Sequence, residues 1–185
     1  MTRSRRLDLV TLWAPGSIEA VVAGVQARLF AEHGLASSQA LPPFIPVCFL
    51  APDQTAPGLL ARVARSARTS LAFRATRMQW ESGWLYLMLD TAGAWQSART
   101  EAGGDAASPL TAPLPFPCVE GFFLGCGEAS EEEREHIGLA APELRFTSCS
   151  VALVRLDCLE DPSGWWRQLS WEILEERPLR VRRQV

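Results

Sequence analysis

The chain has 185 residues, 48% of them hydrophobic, so it fits one globular domain and is too apolar for general disorder. No apolar run reaches the roughly 18 residues that a membrane-spanning helix needs, and the N-terminus lacks the apolar region of a secretory signal, so we expect a cytoplasmic protein. The net charge is −3, and lysine is absent. The two ends are rich in arginine, whereas every acidic residue lies between them. This charge distribution does not indicate a dedicated nucleic-acid binder.

The first predicted elements are a strand and an amphipathic helix. Residues 7–13 have the composition of a strand, and apolar residues then recur at helical spacing over 18–30. Ser17 is the predicted N-cap of this helix. Gly34 is its predicted C-terminal stop.

A nearly continuous apolar run, residues 44–50, follows and predicts a strand buried on both faces. Because Pro46 removes one backbone donor, this strand must lie at a sheet edge or contain a bulge. A helix is predicted over 57–67, and two strands over 71–80 and 84–90 are joined by a Glu-Ser-Gly turn.

The second part of the chain begins with residues 100–117, whose Ala, Gly, Ser and Pro content predicts a surface linker. Residues 119–124 form another short apolar run. A helix with acidic residues in its first turns is predicted over 128–139. The final predicted strands are 144–157 and 165–174.

The order of elements repeats along the chain. A buried strand, a helix and two further strands occur over 44–90 and again over 118–174. An internal duplication joined by the linker is the simplest account of this order.

This repeated order, with Pro42-Pro43 ahead of the first buried strand, resembles the two-histidine (2H) phosphoesterase superfamily over nearly the whole chain. That superfamily includes bacterial 2′–5′ RNA ligase-like proteins and cyclic phosphodiesterases. The resemblance implies an α+β, two-lobed, pseudo-symmetric fold in which each lobe is an antiparallel-rich sheet with helices on its outside. It implies one bilobal domain over 1–185 with these parts: lobe one at about 35–95, lobe two at about 115–176, the linker at about 100–117, and arginine-rich tails at 1–6 and 177–185.

In that family each lobe carries a His-x-Thr/Ser strand, and the two strands face each other across a cleft. One imidazole activates water, the other protonates the leaving oxygen of a 2′,3′-cyclic phosphate, and the hydroxyls donate to the phosphate. Here Phe44 occupies the first histidine position and Pro46 the hydroxyl position. Aligning the second motif on residues 120–125 puts Gly121 and Phe123 at the matching positions. None of these four residues offers a side chain that transfers a proton or donates a hydrogen bond.

We therefore expect a catalytically inactive 2H phosphoesterase-like protein that acts as a binding or interaction module, with no metal and no cofactor. A cleft lined by Phe44 and Phe123 would accept a phosphate poorly, which favours a protein partner or an apolar ligand. Two alternatives stay open. One is an RNA- or nucleotide-binding protein, and the other is a 2′,3′-cyclic phosphodiesterase with relocated catalytic residues.

An internal group of arginines, with no acidic residue between Asp53 and Glu81, is the candidate contact for phosphates or for an acidic partner. The alternative is a solvated face whose arginines pair with acids of the second lobe. Glu120, beside the second motif, is a candidate acid or base if it is buried. The candidate binding residues are Arg62, Arg65, Arg68, Arg74, Arg77 and Glu120.

The remaining reactive residues indicate structural roles. The five cysteines form no C-x-x-C pair and predict buried thiols, with Cys48 or Cys126 as nucleophiles only beside a base. His33 and His136 are expected on solvated helix faces.

Seven tryptophans are expected mainly to fill the core. Because Trp165 and Trp166 are adjacent on a predicted strand, they would point to opposite faces, leaving one of them exposed for a partner or a base.

Overall fold

The computed structural model describes residues 4–50, 58–67, 72–103, 115–126, 137, 140–147, 149–160 and 164–179. The described strands form two four-stranded sheets, in which every neighbouring pair is antiparallel. The strands are β1 (Ser4–Trp13), β2 (Phe44–Leu50), β3 (Phe73–Glu81), β4 (Trp84–Asp90), β5 (Gly121–Cys126), β6 (Arg145–Phe146), β7 (Ser150–Leu159) and β8 (Ser170–Pro178). The helices are α1 (Gly16–His33), α2 (Leu59–Ser66) and α3 (Ala94–Glu101), with 3₁₀ turns at Ala36–Gln39 and Trp165–Gln168.

The first sheet has the order β2-β1-β7-β8 and the second has the order β5-β4-β3-β6. Each sheet therefore takes strands from both halves of the sequence. Strands β2 and β5, which carry the two motif positions, are both edge strands, and they lie beside each other where the sheets meet. None of the described helices is both long and apolar enough to cross a membrane.

Helix α1 ends as the sequence predicts but begins differently. Gly34 has a φ of 65°, and its N–H donates to the carbonyl of Phe30, while the N–H of Leu35 donates to that of Leu29. The predicted N-cap, Ser17, is wrong, because the helix begins at Gly16 and Pro15 holds the cap position without a side-chain hydrogen bond.

Strand β2 confirms the expectation for the buried apolar run. All seven residues are buried, and the register with β1 shifts where Pro46 pairs with Thr11, after the pairing of Cys48 with Val10. An edge position and an irregular register both accommodate a proline that lacks an N–H. Helix α2 and the β3–β4 hairpin also lie within about two residues of their predicted bounds.

Three further predictions of secondary structure need correction. Helix α3 was not predicted, and it extends into the start of the expected 100–117 linker. The expected strand over 144–157 is two strands, β6 and β7. Trp165 and Trp166 lie in a 3₁₀ turn rather than on a strand, and β8 begins only at Ser170.

Other expectations fall at the ends of the chain or outside the described residues. The helix predicted over 128–139 lies almost wholly outside them. Of the expected arginine-rich tails, Arg5 and Arg6 lie within β1, and Arg177 lies within β8.

Side chains from the helices complete the hydrogen bonding of the two motif strands. On β2, the carbonyl of Pro46 accepts from the Trp95 indole at 2.9 Å and that of Val47 accepts from Arg99 at 3.1 Å. On β5, the carbonyl of Phe123 accepts from the buried Gln26 amide at 3.1 Å. Each motif strand is thus linked to a helix by a side-chain donor that binds one of its backbone carbonyls.

Apolar residues pack on both faces of the sheets. One cluster lies between the sheets and the helices, with side chains such as Val22, Val63 and Phe122. A second cluster, called here the inter-lobe cluster, lies on the opposite faces. Its buried members are Leu7, Leu9, Leu41, Phe44, Phe49, Tyr86, Phe116, Phe123, Ala152, Val154, Leu156, Cys158 and Trp165.

The buried amide of Gln26 allows a direct test of this arrangement. Gln26→Met keeps the length of the side chain but removes the donor to the carbonyls of Phe123 and Leu41. We expect the free energy of unfolding to fall by about 2 to 4 kcal/mol, because two buried carbonyls lose a donor. Gln96→Met on the exposed face of α3 is the matched control, and it should change stability by less than about 0.5 kcal/mol in the same urea titration. Equal effects of the two substitutions would contradict this role of Gln26.

Candidate functional site

The four motif positions lie in the interior, on or beside the inter-lobe cluster. Phe44 and Phe123 have no exposed surface, and Pro46 and Gly121 are also buried. Gly121 pairs with Met88, which packs against the same cluster as Phe123. The surface that would form a cleft between the motif strands therefore belongs to the core.

Two further aromatic rings fill the space beside the motif strands. Phe116 lies 6.4 Å from Phe44 and 5.4 Å from Phe123, measured between ring centroids. Trp165 lies 5.4 Å from Phe116 and 6.1 Å from Phe123. Neither Phe116 nor Trp165 belongs to a motif strand. Such tilted and edge-on aromatic contacts stabilise a core beyond the area they bury. A phosphate placed here would lose its hydration and would gain from these rings only one donor, the Trp165 indole N–H.

The buried tyrosine hydroxyl of this region binds the backbone. The Tyr86 hydroxyl donates to the carbonyl of Pro117 at 2.6 Å, and burial raises the pKa of Tyr86 far above its ordinary value. Tyr86 thus stays neutral and anchors the segment that carries Phe116. It is not placed as a proton donor to a ligand.

Glu120 is engaged at the start of α3. Its carboxylate accepts hydrogen bonds from the backbone N–H of Thr91 at 2.8 Å and from the Thr91 hydroxyl. The Thr91 hydroxyl in turn accepts from the N–H of Trp95 at 3.0 Å. The contacts of Glu120 are those of a residue that orders a helix start.

The described arginines of the predicted group lie on two different elements, a helix and a strand. Arg62 and Arg65 lie on α2, which packs against α3, β7 and β8, whereas Arg74 and Arg77 lie on β3 in the second sheet. Arg68 lies outside the described residues.

Two of these arginines form ion pairs with acids that lie outside the second lobe (about 115–176), whereas the sequence analysis expected partners within that lobe. Arg62 pairs with Glu101 at 3.2 Å, and Arg74 pairs with Asp90 at 3.3 Å. These pairs are partly exposed, so each contributes little to stability, but each reduces the charge that is available to a phosphate.

The cysteines are all free thiols. Burial raises the pKa of Cys149 to about 12, and burial also raises the pKa of Cys118, Cys126 and Cys158. His33 is exposed in the last turn of α1, and His136 lies outside the described residues. Among the residues that the structure describes, no three His, Cys, Asp or Glu side chains are grouped to hold a metal ion.

A shallow groove at the start of α1 was not predicted. Its polar side chains include Trp13, Glu19, Ser150 and Glu176. The Trp13 indole donates to Glu19, and the Ser150 hydroxyl donates to Glu176. Burial raises the pKa of Glu19, and the negative charge of Glu176 raises it further. The sequence carries no local signal for this groove, because Glu19 and Glu176 lie near opposite ends of the chain.

Comparisons with known proteins identify the fold. No protein-family model and no curated protein sequence matches the chain. The crystal structure of TT0787 of Thermus thermophilus is 16% identical in sequence, with a TM-score of 0.58 over 96% of this chain and 100% of that one. The crystal structure of Escherichia coli LigT in apo form is 12% identical, with a TM-score of 0.52 over 95% and 98% of the two chains. The predicted two-lobed α+β fold is confirmed, because the chain shares its fold with both of these structures over nearly its whole length.

The close packing around Gly121 generates a prediction for the second motif position. A Cβ atom at Gly121 would lie 2.7 Å from the carbonyl oxygen of Leu87, a backbone atom that moves only with its strand. Gly121→Ala should therefore lower the free energy of unfolding by about 1 to 3 kcal/mol. Gly24→Ala is the control, since a Cβ atom there meets nothing within 4 Å on an exposed helix face. It should stabilise the protein by up to about 1 kcal/mol in thermal unfolding. An unchanged or raised stability of Gly121→Ala would show that β5 tolerates a side chain at this position.

The raised thiol pKa values predict slow alkylation. At pH 8, Cys149 should react with iodoacetamide at least about tenfold more slowly in the native protein than in the unfolded protein, as measured by peptide mass spectrometry. Because the unfolded thiol releases its proton at about pH 8.5, native stability should fall as pH rises from there towards 12. A cysteine that is alkylated rapidly in the native state would instead be a candidate nucleophile.

Proposed function

We propose that this protein is a catalytically inactive member of the 2H phosphoesterase-like fold that acts as a binding or interaction module. The observation that carries the proposal is the filled inter-lobe cluster. Phe44 and Phe123 occupy two motif positions, and Phe116 and Trp165 occupy the space beside them. Hydrolysis of a cyclic phosphate needs an acid, a base and several phosphate donors, and these side chains supply neither acid nor base and only one donor, the Trp165 indole N–H.

Two observations support a protein partner over a nucleic acid. Arg62 and Arg74 are already paired with carboxylates, and the exposed large apolar side chains include Trp171, which suits a protein interface. We also propose a cytoplasmic location, because all five cysteines are free thiols, as in a reducing compartment.

The test uses a short labelled RNA that ends in a 2′,3′-cyclic phosphate. We expect no hydrolysis above the rate without protein, and no change of fluorescence anisotropy at micromolar protein, at either low or moderate salt. Turnover with a pH optimum would contradict the proposal and would support relocated catalytic residues.

The same titration tests RNA binding separately. Binding that weakens steeply with salt would favour the RNA-binding alternative. In that case the double variant Arg65→Ala, Arg77→Ala should reduce the affinity and the salt dependence. Arg28→Ala on α1, which also removes an exposed arginine, is the matched control.

A further inference from the structure

Strand β8 is a long edge strand that exposes apolar side chains. Among the strands that the structure describes, it pairs with β7 alone and forms the outer edge of the first sheet. Trp171, Ile173 and Leu174 are 42%, 41% and 38% exposed. Natural proteins usually shorten, cover or charge such edges, because the unpaired backbone groups template further strands.

The other edge strands of the described fold are treated differently. Strands β2 and β5 have carbonyls that accept from Trp95, Arg99 and Gln26. The fourth edge strand, β6, has only two residues. Strand β8, with nine residues, combines length with exposed apolar side chains.

The surroundings of β8 are acidic. Glu172, Glu175 and Glu176 lie on the strand, and its one cation, Arg177, is bound to Glu175 at 2.9 Å. At the C-terminal end of the strand, Glu176 lines the same groove as Glu19.

The aromatic side chains of this region lie close together. The Trp13 ring, which also lines the groove, lies 6.1 Å from the Trp171 ring. Two carboxylates beside the Trp13 indole, whose ring contacts that of Trp171, form surroundings that attract a guanidinium or ammonium group.

We propose that the outer edge of β8 binds an extended, basic segment of a partner protein, which adds a strand to the first sheet. One basic side chain of that segment lies in the groove between Glu19 and Glu176. Backbone hydrogen bonds to β8 supply affinity, and contacts with Trp171 and Ile173 supply specificity. This inference rests on the proposed function as a binding module and names the surface and the partner chemistry.

Charge decides between this partner and a second copy of the chain. Two β8 strands placed edge to edge would bring three glutamates from each copy together, with one arginine from each copy to offset them. A segment rich in arginine or lysine meets the same edge with opposite charge.

The first experiment compares three labelled peptides by fluorescence anisotropy with the full chain. The probe alternates arginine with valine. The second peptide replaces each arginine with glutamate, and the third carries N-methyl groups on alternate backbone nitrogens. We expect micromolar binding of the probe that weakens with salt, and at least about tenfold weaker binding of the other two.

Single substitutions then locate the site. Trp171→Ala and Glu176→Gln should each weaken binding of the probe by about fivefold to tenfold. Phe30→Ala is the matched control, because Phe30 is an apolar residue of α1 that is 50% exposed, and it should leave the affinity unchanged. All three positions are exposed, so thermal unfolding should confirm that each variant keeps its fold.

Several outcomes would overturn the inference. Equal affinity for the arginine and glutamate peptides would remove the role of charge, and equal affinity for the N-methylated peptide would remove strand addition. A dimer in sedimentation that Trp171→Ala dissociates would identify a second copy as the occupant. A tenfold gain in affinity on deleting residues 180–185 would identify the chain's own terminus as the occupant. The RNA assay above is independent, so failure here leaves the proposed lack of catalysis intact.

Discussion

The fold depends on hydrogen bonds that helix side chains donate to the backbone carbonyls of two buried edge strands. Strands β2 and β5 meet where the sheets join, so neither can take a further strand or leave its carbonyls to water. Trp95 donates to the carbonyl of Pro46, and Gln26 donates to that of Phe123. Pro46 and Phe123 are the residues at the two hydroxyl positions of the motif. Each motif strand is therefore held by a hydrogen bond to its backbone, and this bond does not depend on the motif side chains. The fold can therefore keep these strands in place after the reactive side chains are replaced.

Apolar side chains at the motif positions would do more than leave out reactive groups, because they also change how the interior packs. An open cleft between the strands would leave Phe44 and Phe123 in contact with water, whereas here Phe116 and Trp165 cover them. Burying an aromatic side chain of this size contributes roughly 1.5 to 3 kcal/mol, so filling the space is favourable once no ligand has to enter. Reopening the region would expose several rings at once. The filled interior and the absent acid–base pair therefore support the same conclusion about catalysis.

Sequence reasoning succeeded where the signal is local. The apolar run around Pro46 predicted a buried strand at an edge or bulge, and Gly34 predicted the end of α1, because backbone chemistry fixes both. Helix α3 escaped prediction because it buries two alanines and one tryptophan, a weaker apolar pattern than the leucines and valine that the equally short α2 buries. Partner choice between strands also escaped, since each sheet joins segments that are far apart in sequence. Trp165 lies in a turn that was expected to be a strand, and it fills the site through contacts with residues far away in the sequence. Such contacts also escape prediction from the sequence.

The groove shows why surface function is harder to predict than interior chemistry. Glu19 and Glu176 are separated by most of the chain, and only the pairing of β7 with β1 and β8 brings them to one surface. Two carboxylates that share a groove raise the free energy of the site unless a cation or a proton is present, and the raised pKa of Glu19 follows from burial and from this repulsion. An interior that needs no ligand and an exposed edge that favours a cation point to different roles. In the proposals made above, the interior serves as a scaffold, and recognition takes place at the edge of the first sheet rather than between the motif strands.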